Sequence, residues 1–159
     1  MDHGEVRIRP AGLEDSDWII ALAPRLHDFG PPPWRERAAM DEAVKEDQAR
    51  LLANLAPGSA IFAAINADGN PLGFVTLRTD RDYFTGEPAG HVVDIVVARE
   101  AEGRGVGRAL LAAAERWAKE AGYPWLTLNV FAGNERARRV YEQAGYQVEW
   151  TRMLKPLRS

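Results

Sequence analysis

Three glycines alternate with other residues in Glu102-Gly-Arg-Gly-Val-Gly-Arg108. Ahead of them runs an apolar stretch holding the β-branched Val92, Val93, Ile95, Val96 and Val97, and behind them an amphipathic pattern from Arg108 to Lys119. A buried strand, a tight turn and a helix start follow from that order. Curled glycine backbone exposes N–H groups, and the helix adds the positive end of its dipole, so the turn is a site for phosphate. Two phosphate fingerprints fail. The dinucleotide pattern G-x-G-x-x-G begun at Gly103 requires glycine where Arg108 stands, and the P-loop requires G-K-[ST] where the chain has Gly107-Arg-Ala109. An S-adenosylmethionine loop would want an acid where Ala101 stands. The anion therefore belongs to another cofactor.

Three more side chains could do acid–base work. Asp94 is a carboxylate inside the apolar strand. Burial would raise its pKa toward the range of a general base, although a structural aspartate paired with arginine or backbone fits the same pattern. His91, three residues earlier, has a suitable intrinsic pKa, and a water chain would need neither. Tyr141 carries a phenol with an ordinary pKa of about 10. Its helical spacing suits a core tyrosine as well as a proton donor. Asn134 stands at a helix start, where its side chain can cap the free amides. Cysteine is absent, which removes disulfides, thiolate metal sites and an acyl-cysteine intermediate. The histidines are His3, His27 and His91, without the H-x-x-x-H spacing of a metal pair, so no metal is expected.

Taken together, Glu102-Gly-Arg-Gly-Val-Gly107 after a valine-rich strand resembles the R/Q-x-x-G-x-G/A signature of the GCN5-related N-acetyltransferases (GNAT). Asn134, Ala137, Tyr141 and Gly145-Tyr146 resemble that family's N-x-x-A-x-x-x-Y-x-x-x-G-F/Y run. The resemblance implies acetyl-coenzyme A as co-substrate. The amides of Gly103, Arg104, Gly105, Val106, Gly107 and Arg108 would hold its pyrophosphate, and Glu102, Asn134, Ala137 and Tyr141 would border it. It implies a β-bulge that splays the central strand, so that backbone of Ile95, Val96 and Val97 receives the pantetheine arm, with the oxyanion met near Val96 or Val97. It implies Tyr141 as acid for the leaving thiolate, Asp94 as a candidate base, and direct attack by a primary amine in a ternary complex. The acceptor, a small molecule or a peptide, stays open, and dimers are common in the family. One residue departs from the pattern: Glu102 stands where arginine or glutamine is usual, setting a like charge beside the phosphates. A catalytically weak acyl-coenzyme A sensor of the same fold is the alternative.

These residues need a scaffold. The chain has 159 residues, 46% of them hydrophobic and 27% charged, which suits a single domain spanning 1–159. A net charge of −3 gives no field toward nucleic acid. No apolar run reaches the roughly 20 residues of a membrane span. The acidic start lacks a signal-peptide core, so the cytoplasm is the expected location.

In order, Glu5 to Arg9 alternates as a short strand. Trp18, Ile19, Leu22, Leu26 and Phe29 have helical spacing that Pro24 must break. Gly30-Pro-Pro-Pro-Trp34 is a stiff loop, equally a wall of the acceptor pocket or a connector whose Trp34 caps the core. Arg35 to Leu55 reads as a helix with Met40, Val44, Leu51 and Leu55 on its apolar face and a Glu46/Arg50 pair. Ala60–Ile65 and Leu72–Thr79 form a hairpin about Asp68-Gly69. The loop Asp80 to Gly90, with Tyr83 and Phe84, is a candidate substrate loop or a plain connection. After the glycine turn, Val106, Leu110, Ala113 and Trp117 give the next helix its apolar face. Trp125 to Phe131 is a strand, a helix follows Asn134, and Tyr146 to Leu154 reads as a last strand or strand pair. The order β-α-α-β-β-β-α-β-α-β is α/β (α+β): a GNAT-like mixed, mostly antiparallel central sheet with helices on both faces.

Overall fold

A computed structural model describes residues 4–158. Strand β1 (Arg7–Pro10) leads into α1 (Ser16–Leu22), which Pro24 converts into a 3-10 turn, Ala23–His27. Helix α2 spans Arg37–Ala53. Strands β2 (Ala60–Ile65), β3 (Pro71–Arg81) and β4 (Pro88–Val97) follow, then α3 (Val106–Glu120), β5 (Leu126–Leu128) and α4 (Glu135–Gln143). The five strands lie in sequence order, β1-β2-β3-β4-β5, antiparallel up to β4 and parallel between β4 and β5. The parallel step needs a crossover, which α3 supplies. Among the described residues, no helix is long and apolar enough to cross a membrane.

The sheet carries an apolar cluster on each face. Val75, Leu77 and Val92 pack with Val106, Leu110 and Ala114 of α3. Phe74 and Val96 pack with Ile19, Ala23 and Leu52 from the α1 and α2 side, where Trp18 meets Phe74 edge-on at 6.1 Å. Helices therefore cover both faces of a mixed, mostly antiparallel sheet. At Gly73 a Cβ would come within 2.5 Å of the Val96 carbonyl oxygen, so only glycine lets β3 lie this close to β4.

The β3–β4 ladder holds the feature on which the site depends. Thr76 pairs with Asp94 but Leu77 pairs with Val92, so Val93 is an extra residue in β4. Strict alternation would put Asp94 on the same face as Val92, in the α3 core. The bulge reverses the phase and turns Asp94 to the α2 face with Thr76. On its other side β4 pairs with β5 only at Gly90, His91 and Val92. Beyond that point the two strands part.

Two expectations need correction. The stretch from Tyr146 to Leu154 forms no strand. Its alternation specifies an extended chain, but no strand among the described residues pairs with it, and Val148, Trp150 and Met153 stay 69%, 68% and 89% exposed. Trp34 is 52% exposed and caps no core. A smaller difference lies on α2, where Arg50 turns to Asp47 at 3.7 Å rather than to Glu46.

Candidate functional site

The glycine turn is built as its sequence demands. Gly103 and Gly105 sit at φ +76° and +78°, a region closed to most side chains, and Gly105 caps α3. None of the amides from Gly103 to Arg108 donates to a backbone carbonyl among the described residues. Residues 102–105 are exposed while Val106 is buried, which pins the helix end and leaves the amides open to solvent. Such a concave set of free N–H groups at a helix N-terminus fits a phosphate.

Glu102 is not the bare charge the sequence implies. Its Oε1 accepts from Arg25 Nη2 at 2.5 Å and its Oε2 from Arg136 Nη1 at 3.2 Å. Those two arginines hold its carboxyl below the ordinary range against a desolvation that pushes the other way. Arg25, on the 3-10 turn created by Pro24, also donates through Nε to the Val97 carbonyl at 2.9 Å and pairs with Asp28 at 2.8 Å. One guanidinium thus ties together the end of β4, the glycine turn and the segment before α2. Neither arginine was legible as a site residue, since Arg25 lies 77 positions and Arg136 lies 34 positions from Glu102.

Ladder alternation sorts the backbone of β4. Ala98 N donates to Leu72 O at 2.8 Å, so the hydrogen-bonded pairs with β3 fall at residues 98, 96 and 94. Val96 therefore spends its backbone groups on β3. Those of Ile95 and Val97 point the other way, toward the gap left by β5. Of the two oxyanion positions expected from sequence, Val96 and Val97, the geometry leaves Val97 free to donate.

On the α2 face Asp94 Oδ2 accepts from Gln48 Nε2 at 2.5 Å, and the Asp94 amide donates to Thr76 Oγ1 at 3.2 Å. Burial, with the Asp47 charge behind it, pushes the Asp94 carboxyl up to about 6. Gln48, His27 and Arg78 pull it down by less. Tyr141 is close enough to feel Asp94: burial first, and that negative charge second, push its phenol up to about 12. Its ring meets Tyr146 edge-on at 6.1 Å. His91 is buried and spends its Nδ1 on Thr127 Oγ1 at 2.8 Å, and burial holds its imidazole below the ordinary value. The structure thus sets Tyr141 within electrostatic reach of Asp94 and gives His91 a partner on β5. Among the described residues, no group of three or more His, Asp or Glu is placed to hold a metal.

Asn134 caps α4 as its type predicts, its Oδ1 accepting from Ala137 N at 3.3 Å. Phe29 meets Phe131 at 5.3 Å, so the stretch leading into the proline loop reaches the segment that follows β5. The loop between β3 and β4 closes on Asp82, which accepts from the amides of Phe84 and Thr85 at 3.0 and 2.8 Å. Tyr83 and Phe84 stand 87% and 72% exposed there, as in an open hairpin connection.

A splayed β4–β5 pair, a glycine turn of free amides and a crossover helix define an acyl-coenzyme A transferase architecture, and comparison with known proteins agrees. Residues 23–146 match the acetyltransferase (GNAT) family, and the chain belongs to that family. It is 32% identical over 146 residues to a mycothiol acetyltransferase of Nocardiopsis dassonvillei, covering 89% of this chain and 42% of that protein. An aminoglycoside N(6')-acetyltransferase type 1 of Stenotrophomonas maltophilia is 34% identical, with 81% of this chain and 90% of that protein covered. The chain thus spans less than half of the first relative and nearly all of the second. In structure it superposes on the aminoglycoside N-acetyltransferase AAC(6')-Iy, solved in complex with CoA, with a TM-score of 0.73 over 98% of this chain and 97% of that one. At 24% identity that likeness is one of fold.

Proposed function

We propose that this protein transfers the acetyl group of acetyl-coenzyme A to a primary amine on a small molecule, by direct attack within a ternary complex. The observation that carries the reading is the opening between β4 and β5, which begins after Val92, lies beside the free amides of Gly103 to Arg108, and is faced by Ile95 and Val97. Those amides suit a pyrophosphate, and the unpaired strand backbone suits an amide-bearing arm that pairs as an extra strand. Relatives named for aminoglycoside and mycothiol acetylation support a small amine as acceptor.

Each step has a residue for it. Asp94 takes a proton from the acceptor nitrogen as that nitrogen bonds to the thioester carbon. Its elevated pKa is suited to this, since a base near the working pH both ionises and holds a proton. The Val97 amide donates to the oxyanion. As the carbon–sulfur bond breaks, the electron pair leaves on sulfur and the Tyr141 hydroxyl supplies a proton or hydrogen bond to it. A phenol at about 12 keeps its proton throughout the neutral range. Full transfer to a thiolate whose ordinary pKa is about 8.5 is uphill, so Tyr141 serves chiefly by hydrogen bonding until solvent completes the protonation.

The test is a calorimetric titration with acetyl-coenzyme A beside NADH and S-adenosylmethionine, followed by thiol release with a panel of aminoglycosides, amino-acid amides and peptides. Binding of the first alone and turnover with a small amine support the reading. Tight binding with no turnover on any amine would favour an acyl-coenzyme A sensor.

A further inference from the structure

Gln48 is an anomaly on α2. Val44, Gln48 and Leu52 lie at successive four-residue steps on the face that packs against the sheet, and Gln48 is the fully buried member at 0% exposure. A leucine or methionine would fill that place without a polar group to satisfy. The amide nitrogen has one partner, Asp94 Oδ2 at 2.5 Å, and the amide oxygen Oε1 is buried with none among the described residues. Burying half an amide unpaired is unfavourable, so the presence of glutamine here points to work done by the other half.

We propose that Gln48 is the positioning residue of the base, holding the Asp94 carboxyl in both of its protonation states. Ionised, Asp94 accepts from Nε2, as the structure has it. Once Asp94 has taken the proton from the acceptor amine, its Oδ2–H becomes a donor. A half-turn of the Gln48 amide about its last side-chain bond then offers Oε1 in place of Nε2. Amide nitrogen and oxygen are close in size, so the turn displaces no neighbour. The unpartnered Oε1 is the acceptor that the protonated state needs. Thr76 fixes the other end of the residue, its Oγ1 accepting from the Asp94 amide at 3.2 Å. The remaining charges facing Asp94 are Asp47 on α2, His27 before α2 and Arg78 on β3, and Tyr141 on α4 senses it in turn. Of these elements only α2 gives the carboxylate a hydrogen bond.

The inference rests on Asp94 being the base, so the test reads the two separately. In Gln48→Met the Asp94 carboxyl is followed by carbon-13 NMR against pH, and kcat/KM for the amine is profiled over the same range. The bond to the ionised carboxylate is charge-assisted and about twice as strong as the one to the protonated acid. Losing both should therefore raise the titration midpoint and the acid limb together by about one unit, with KM for acetyl-coenzyme A unchanged. A folded variant whose Asp94 midpoint stays put overturns the role of Gln48. A midpoint that moves without the acid limb overturns Asp94 as the base, and the proposal with it. Gln48→Glu preserves the side chain's size should the methionine fail to fold. There two carboxyls share the site, so the upper midpoint of the pair should rise by more than one unit, and an unmoved midpoint is equally fatal.

Discussion

Asp94 is costly where it stands. Its folded pKa of about 6 lies above the ordinary 3.8, so the native state favours the protonated form. The stability that protonation brings is complete below about pH 4 and is lost as pH rises through 6. Asp94→Asn removes that loss. It should raise stability at pH 7 by about 1–3 kcal/mol, leave it unchanged at pH 4, and lower kcat/KM by roughly 10²–10⁴-fold. Thermal melts at the two pH values beside a thiol-release assay check all three. Tyr141→Phe should instead lower kcat while the acetyl-coenzyme A Kd stays within about twofold, because in the proposed mechanism the phenol meets the leaving group, and its ring packing against Tyr146 survives. At this scale the sequence was readable by type. An aspartate amid valines and a tyrosine at the right step after Asn134 both stand out. Gln48 did not, because the charges around it suggest a solvated helix face. The four-residue spacing from Val44 to Leu52 was the signal for it.

The glycine turn and its neighbours make an element whose parts were unequally visible. Positive φ at Gly103 and Gly105 forces a residue type, so that conformation is written in the sequence. The arginines that neutralise Glu102 arrive from the 3-10 turn and from α4, and no local pattern announces them. Their presence changes how Glu102 would weaken a phosphate site: the carboxylate takes up two guanidiniums that stand beside the glycine turn. Glu102→Gln should free Arg136, which is 73% exposed, to turn to the phosphates and should tighten acetyl-coenzyme A binding severalfold. Stability should change by no more than about 1 kcal/mol, since a partly exposed ion pair contributes little. Calorimetry and a melt of the same sample decide it, and weaker binding would show that the carboxylate orders the turn rather than opposing the ligand. The segment after α4 shows the reverse failure. Tyr146 to Leu154 alternates as a strand does, but alternation names faces and not partners, and no strand among the described residues takes it up.

Over the whole molecule, the two apolar clusters make the sheet a wall between two layers, and α3 was the plainest helix to read because Val106, Leu110 and Ala113 mark one apolar stripe for one face. Helix α4 buries no residue completely, Tyr141 being partly buried, and stands off α3 across a groove lined by Arg108, Leu111, Val140 and Gln143. The resemblance implied a bulge in the central strand, but its place at Val93 was not visible, since it depends on the register between β3 and β4 rather than on either strand alone. The parting of β4 from β5 leaves its own record in amide exchange. Val96 is locked to β3 whatever is bound, whereas Ile95 and Val97 present N–H groups to an open gap. In deuterated solvent, Ile95 and Val97 should therefore exchange early while Val96 exchanges late, an odd–even pattern within one strand. Saturating acetyl-coenzyme A should slow the odd positions by at least about tenfold and leave the even one unchanged, so the outline of the proposed arm would be written along a single backbone before the arm binds.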